Sequence, residues 1–193
     1  MMRITNMVKH LLIINFIVFL GLHILTNANI DVREYFYLFP PSSGYFKPIQ
    51  LLTYMFTHVR FDHIFFNMLV LFFLGPMVEA SLGSKRFIIL YMAAGILGGV
   101  GQMFLSSGLP SIGASGATMG VTLAFAGMFP NMRLMLLFPP IPIKAKYMAL
   151  IIVGIDLFSG ISGMNTGIGH YAHLAGAAVG FLLVFYWGKL NLR

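Results

Sequence analysis

The sequence predicts an all-α membrane protein, built as a bundle of six transmembrane helices. Hydrophobic residues make up 59% of its 193 residues and charged residues only 9%, whereas a soluble domain carries about 25% charged residues. The mean hydropathy is +0.88, and six apolar runs follow one another along the chain. A transmembrane helix needs about 20 mostly apolar residues, so the composition indicates that lipid is the solvent.

The predicted spans occupy most of the chain, and we therefore expect a single membrane domain over residues 1–193. The spans are residues 9–25, 61–80, 87–105, 115–129, 147–158 and 170–188. A polar and aromatic loop, residues 27–50, separates the first two spans. The N-terminal run also resembles a signal peptide, but Thr26-Asn27-Ala28 is a poor cleavage site, so we expect the run to be retained as an anchor.

The distribution of lysine and arginine predicts the orientation, because cytoplasmic loops carry an excess of both. With the N-terminus inside, the inner side holds Arg3, Lys9, Lys85, Arg86, Arg133, Lys144, Lys146, Lys189 and Arg193, and the outer side holds Arg33, Lys47 and Arg60. This arrangement puts both termini in the cytoplasm. It also puts the loop 27–50 and the segments before Ser115 and His170 on the outer side.

The same charge pattern argues against a nucleic-acid partner, since the basic residues lie between apolar runs and form no polar face. The chain has no cysteine, which excludes disulfides and thiolate metal sites. We expect no metal and no cofactor.

Two stripes of small residues predict that the fourth and sixth spans pack closely, since small side chains let helix backbones approach each other in lipid. The stripes are Gly116, Gly120, Ala124 and Gly127 in the fourth span, and Ala172, Gly176 and Gly180 in the sixth.

Ser115 is a candidate nucleophile because it opens the fourth span after the glycine-rich turn Gly113-Ala114. Free backbone N–H groups and the helix dipole at such a position would stabilise a tetrahedral oxyanion. A serine here could equally be an N-cap, which needs only one acceptor oxygen. For this motif alone, the N-cap is the favoured interpretation.

His173 in the sixth span is the candidate base, since a neutral imidazole is the usual proton acceptor for a serine nucleophile. The alternative is a packing histidine bonded to a backbone carbonyl. His170 is a rival base about 60° away around the helix. Its position nearer the outer end favours an exposed, structural role.

His63 and Asn67 are four residues apart, so they share one face of the second span. Both side chains can donate hydrogen bonds and together would complete an oxyanion hole. A hydrogen bond between helices is an equally good interpretation of Asn67 alone. We expect His58 to precede this helix, face water and point away from His63.

Two intramembrane carboxylates have plainer interpretations. Asp156 could be the acid of a catalytic triad, but pairing with a donor in the bundle, or a place near the outer water boundary, is favoured. Glu79 lies near the inner end of the second span, beside Lys85 and Arg86, and a structural role is expected.

The sequence resembles the rhomboid family of intramembrane serine proteases from about Leu51 to Phe185, and in the first helix and long first loop. The matching motifs are His58-x4-His63-x3-Asn67, the segment Glu79-Ala80-Ser81-Leu82-Gly83-Ser84, Gly113-x-Ser115-Gly116, and Ala172-His173-x2-Gly176-x3-Gly180. Their order and separation also match, which makes the resemblance highly specific.

The resemblance implies a rhomboid-like bundle with a Ser115–His173 dyad and no third acidic member. His63, Asn67 and the Ser115 N–H would hold the oxyanion, with His58 and Gly113 in support. Substrates would be single-span membrane proteins cleaved near the outer face. The loop 27–50 would lie in the membrane, and the fifth span would form a lateral gate.

The chain departs from the family pattern in two places. Many members carry a tyrosine four residues after the serine, stacked on the catalytic histidine, where this chain has Met119. A thioether can still contact an imidazole, but His173 would be held less firmly. A Trp-Arg pair found in the first loop of some members is missing, since the single tryptophan is Trp187.

Three functions compete. The resemblance favours an intramembrane serine endopeptidase whose partners are transmembrane protein substrates and the lipid bilayer. From the minimal six-helix length and the absence of an organellar transit segment, we expect it in a bacterial inner membrane. A non-catalytic membrane chaperone or quality-control protein on the same fold is the alternative. A transporter or metal-dependent enzyme is disfavoured, because no H-E-x-x-H motif is present.

Overall fold

The apolar runs of the sequence form α-helices in the computed structural model, which describes residues 3–105, 110–135, 139–163 and 166–191. Six long helices follow the six predicted spans, and two helices of four residues lie between the first and second. In chain order the helices are α1 (Asn6–Asn27), α2 (Arg33–Phe36), α3 (Gln50–Thr53), α4 (Phe61–Leu82), α5 (Ser84–Leu105), α6 (Ser115–Met128), α7 (Ala145–Ile161) and α8 (His170–Tyr186).

Three helices, α1, α4 and α5, are long and apolar enough to cross a membrane, and α8 is a shorter apolar helix. α6 has only 14 residues, of which all but Ser115, Leu123 and Gly127 are buried. The other helices therefore surround α6, and its side chains face protein along most of its length. The residues that the structure describes thus form a mostly helical membrane protein.

The loop 27–50 contains short helical turns and internal hydrogen bonds. It contains α2 and a 3₁₀ turn at Pro41–Ser43. The fully buried Gln50 at the start of α3 ties this loop together. Its amide donates to the carbonyls of Glu34 (2.7 Å) and Tyr45 (2.8 Å) and accepts from the Phe39 N–H (3.2 Å).

A β-hairpin between α6 and α7 departs from the all-α prediction. Strand β1 (Arg133–Met135) pairs antiparallel with β2 (Pro142–Lys144), with Arg133 opposite Lys144. Proline lacks a backbone N–H and disrupts helices, and three prolines stand at positions 139, 140 and 142. The short apolar segment therefore turns back as strands.

Backbone contacts through glycine join α5, α6 and α8. A Cβ added at Gly176 would collide with the carbonyl of Gly116, and one at Gly180 would collide with the carbonyl of Gly120. A Cβ at Gly98 of α5 would lie 2.9 Å from the carbonyl oxygen of Ala172. The close packing predicted from the small-residue stripes is confirmed.

The structural role predicted for Glu79 is also confirmed, with partners other than Lys85 and Arg86. Its buried carboxylate accepts hydrogen bonds from the hydroxyl of Thr5 and from the N–H groups of Met7 (3.1 Å) and Val8 (3.0 Å) at the start of α1. It also accepts from the Ser84 hydroxyl (2.5 Å) at the start of α5. One side chain of α4 therefore satisfies donors at the ends of two other helices.

Gly176→Ala should destabilise the fold, because the new methyl group would meet the backbone of α6, which cannot give way as a side chain can. We expect a loss of about 1–3 kcal/mol, measured as thermal unfolding in detergent. Gly154→Ala in α7 is the matched control, since nothing lies within 4 Å of a Cβ there. Equal stability of the two variants would contradict the packing argument.

Glu79→Ala should cost about 1–3 kcal/mol of stability, because it leaves the buried N–H of Val8, and the partly buried donors of Thr5 and Met7, without an acceptor at the start of α1. The midpoint of chemical unfolding measures this loss. Glu34→Ala, which removes an exposed carboxylate, is the control and should change the midpoint little.

Candidate active site

A cavity of about 750 Å³ lies between α4, the start of α6, the end of α7 and the start of α8. It is lined by six of the seven residues that the sequence analysis selected: Ser115, His173, His63, Asn67, Gly113 and Met119. Gln102, Thr118, Ser159, Thr166 and His170 add polar groups. The structure thus brings residues from three predicted spans to one pocket.

Ser115 is the first residue of α6, and the N-cap position belongs to Ala114. No side-chain hydrogen bond caps the helix. The Ser115 hydroxyl forms no hydrogen bond with any residue that the structure describes, and the side chain is partly exposed to the cavity. The N-cap interpretation of Ser115 is therefore wrong, and its oxygen remains free to react.

The turn before Ser115 requires glycine. Gly113 has φ = +113°, and a Cβ there would lie 2.5 Å from the Cε1 and Nε2 atoms of His63. The His63 imidazole therefore packs directly on the Gly113 backbone, next to the start of α6. The Gly113 N–H donates to the carbonyl of Tyr54 (2.8 Å), which fixes the turn.

His58 differs from its predicted environment. It precedes α4 as expected, but it is completely buried, and its ring centroid lies 4.9 Å from that of His63. The prediction that it points away assumed helical spacing, and the chain at His58 is not helical. Burial lowers the pKa of His58 to about 3, so the ring is neutral and its Nε2 accepts the Ala114 N–H (3.3 Å).

Asn67 is held by two hydrogen bonds. Its Nδ2 donates to the His63 carbonyl (2.9 Å), and its Oδ1 accepts from the Thr118 hydroxyl (3.1 Å). The side-chain amide of Asn67 has two N–H donors. One donates to the His63 carbonyl, and the second N–H does not. Thr118 was not selected from the sequence. Its position three residues after Ser115, on the same helix, could have indicated that it lies near the site.

His173 contacts a carboxylate. Its Nδ1 lies 3.1 Å from both side-chain oxygens of Asp156, which is only 4% exposed. The Nδ1 of His170 lies 2.7 Å from one of the same oxygens. The prediction that Asp156 pairs with a donor in the bundle is confirmed. The exposed role predicted for His170 is wrong, because α7 covers this end of α8 and buries the ring.

Ser115 and His173 share the cavity but are not hydrogen-bonded to each other among the described residues. The Nε2 atom of His173 also has no hydrogen-bond partner among the described residues. Hydrogen bonds between catalytic groups are often long in a free enzyme and shorten when substrate binds. The Ser115 hydroxyl and Nε2 of His173 thus line one pocket, each without a hydrogen-bond partner among the described residues.

The start of α8 is anchored to α5. Gln102 accepts the N–H of Ala172 (3.1 Å) through its Oε1, so a donor at the helix end is satisfied by a side chain from another helix. Sequence reasoning did not select Gln102, and a single glutamine at the end of an apolar run gave little signal.

The model of the Rhomboid domain family matches residues 45–190 of the chain. The chain belongs to the rhomboid family. It is 33% identical over 138 residues to the putative rhomboid protease YdcA of Bacillus subtilis. This matched region covers 70% of this rhomboid and 65% of the relative. It is 34% identical over 145 residues to the rhomboid protease GluP of the same organism, covering 72% of this chain and 28% of the relative.

A mitochondrial relative is similarly close. The human presenilin-associated rhomboid-like protein is 33% identical over 162 residues, which cover 81% of this rhomboid and 42% of that protein. The matched regions thus span between 28% and 65% of the length of these three relatives. Residues 45–190, which the family model matches, include all the candidate site residues. The match shows an integral membrane protein of the rhomboid family.

Proposed function

We propose that this rhomboid is an intramembrane serine endopeptidase in which Ser115 is the nucleophile and His173 the base. The observation that carries the proposal is that Ser115, His173, His63 and Asn67 line one cavity although they come from three helices. The protease names of the Bacillus subtilis relatives support it.

In the proposed reaction, the Ser115 oxygen attacks the scissile carbonyl while Nε2 of His173 takes the hydroxyl proton. The same imidazole then protonates the departing amine, which leaves an acyl-enzyme. Water, deprotonated by His173, attacks the ester, and release of the carboxylic acid restores the Ser115 hydroxyl. No other group is needed for the proton balance of these steps.

The oxyanion would be held by the Ser115 N–H, the His63 ring and the second N–H of Asn67. The N–H groups of Gly113 and Ala114 are already bonded. For the Ser115 N–H, by contrast, no backbone acceptor occurs among the described residues. A free N–H at a helix start, beside two side-chain donors, suits a developing negative charge.

We further propose six spans, cytoplasmic termini and a site near the outer face, on the basis of the lysine and arginine distribution. Substrates would be single-span membrane proteins that enter from the bilayer beside α7. That helix exposes Leu150, Ile151, Ile155, Leu157, Phe158 and Ile161. A bacterial inner membrane is the proposed location.

A non-catalytic quality-control protein is the second candidate, favoured by the missing hydrogen bond between Ser115 and His173. A fluorophosphonate probe separates the two functions, because it reacts only with an activated serine.

The wild-type protein in detergent should react with the probe and cleave a model single-span substrate. Ser115→Ala should abolish both reactions, and His173→Ala should slow both by at least about 10³-fold, because proton transfer is lost. Ser162→Ala, a change at the exposed end of α7, is the matched control and should leave both intact. Labelling that persists in Ser115→Ala would overturn the proposal.

Asn67→Ala should lower kcat by about 10²-fold through the loss of an oxyanion donor. Thr118→Val is the control, since it removes the hydrogen bond to Asn67 but keeps the amide, and we expect a much smaller loss. Steady-state cleavage in liposomes measures both values. If the two variants lose the same activity, Asn67 serves only to join α4 to α6.

A further inference from the structure

We propose that Asp156 is a positioning residue for the reaction, which holds the His173 ring with Nδ1 protonated and Nε2 directed to Ser115. The inference rests on the proposed roles of Ser115 and His173. It adds an acidic third member to the two-residue arrangement that the family resemblance implies.

Both carboxylate oxygens of Asp156 are equally near to His173. Nδ1 of His173 lies 3.1 Å from Oδ1 and 3.1 Å from Oδ2 of Asp156. An ionised carboxylate has no proton to donate, so the proton in this contact belongs to Nδ1. A neutral imidazole carries only one N–H, and Nε2 therefore keeps its lone pair. That is the tautomer that can accept a proton from Ser115.

A second histidine, His170, contacts the same carboxylate. Nδ1 of His170 lies 2.7 Å from Oδ1 of Asp156, and its Nε2 lies 2.7 Å from the Thr166 hydroxyl. His170 is therefore oriented at both ring nitrogens and holds one carboxylate oxygen. Among the described residues, the hydrogen-bond partner of Oδ2 of Asp156 is His173.

Burial of the Asp156 carboxylate carries a free-energy cost. Asp156 is 4% exposed, and its ion-pair partners among the described residues are the two histidines alone. A buried carboxylate is unfavourable unless its oxygens accept hydrogen bonds. Two hydrophobic residues could join α7 to α8 at a lower cost. An acidic residue at this position is better explained by its effect on His173.

Among the described residues, few titratable groups face His173. They are Asp156 from α7, His170 from the same helix and His63 from α4. Asp156 is the carboxylate in contact with the ring, so the choice between the two tautomers depends on it. Because the contact joins α7 to α8, the tautomer of His173 also depends on how α7 packs against α8.

Asp156→Asn tests the inference at nearly constant side-chain size. The asparagine amide can donate to Nδ1, which would move the ring proton to Nε2 and remove the acceptor that Ser115 needs. We expect kcat to fall by about 10²–10⁴-fold, with little change in KM, and fluorophosphonate labelling to slow by a similar factor.

The ¹⁵N NMR spectrum of histidine-labelled protein reports the tautomer directly, and comparison with His173→Gln assigns the His173 signals. The wild-type protein should show a protonated Nδ1 and a bare Nε2, and Asp156→Asn should show the reverse. A merely structural Asp156 would affect stability and leave the tautomer and kcat of the folded variant unchanged. That result would overturn the inference.

Two further variants complete the test. Asp156→Glu keeps the carboxylate and should retain more activity than Asp156→Asn, even if it packs less well. Equal or lower activity of Asp156→Glu, per folded molecule, would also overturn the inference, and this comparison stands if Asp156→Asn fails to fold. Glu34→Gln removes an exposed outer carboxylate and should leave the spectrum and activity unchanged.

The proposed function and this inference fail in different ways. If the wild-type protein neither labels nor cleaves, the protease proposal fails. The tautomer of His173 is then still measured by NMR, and a bare Nδ1 in the wild-type protein would refute the role of Asp156 by itself.

Discussion

The contact of α6 with α5 and α8 through glycine backbones is the constraint on which the rest of the molecule depends. At Gly176 and Gly180 the backbone of α8 lies against the carbonyls of Gly116 and Gly120, and a larger side chain at either position would separate the helices. In lipid there is little hydrophobic force to hold helices together, so close packing and hydrogen bonds must do so. Because α6 and α8 meet one turn from Ser115 and His173, the packing contact also sets the position of the site.

Hydrogen bonds from buried side chains provide the second source of order. Gln50, Glu79, Gln102 and Asp156 are each buried or partly buried polar residues in a largely apolar chain. Each one satisfies backbone or side-chain donors from a different element. Unpaired donors are costly away from water, so these contacts fix the loop 27–50, the start of α1, the start of α8 and the histidines respectively. The site is assembled from the same kind of contact as the fold.

The histidines take three different roles, three of these residues lining the cavity and His58 lying behind it. His58 is buried and neutral and supports the turn before Ser115, whereas His63 packs on Gly113 and faces the cavity. His170 and His173 share the carboxylate of Asp156, but only His173 has its Nε2 without a partner among the described residues. The difference between His170 and His173 lies in their neighbours.

The sequence by itself determined the family, the helical membrane character, the approximate bounds of the long helices and the small-residue contact between α6 and α8, because short motifs, hydropathy and glycine spacing are local properties. It also selected six residues that line one cavity. It did not determine the β-hairpin, the order within the loop 27–50, the burial of His58 and His170, or the contact of Asp156 with His173. Each of these depends on which side chain from a distant segment fills the neighbouring space. That choice arises only when the helices pack together, and no spacing within one segment encodes it.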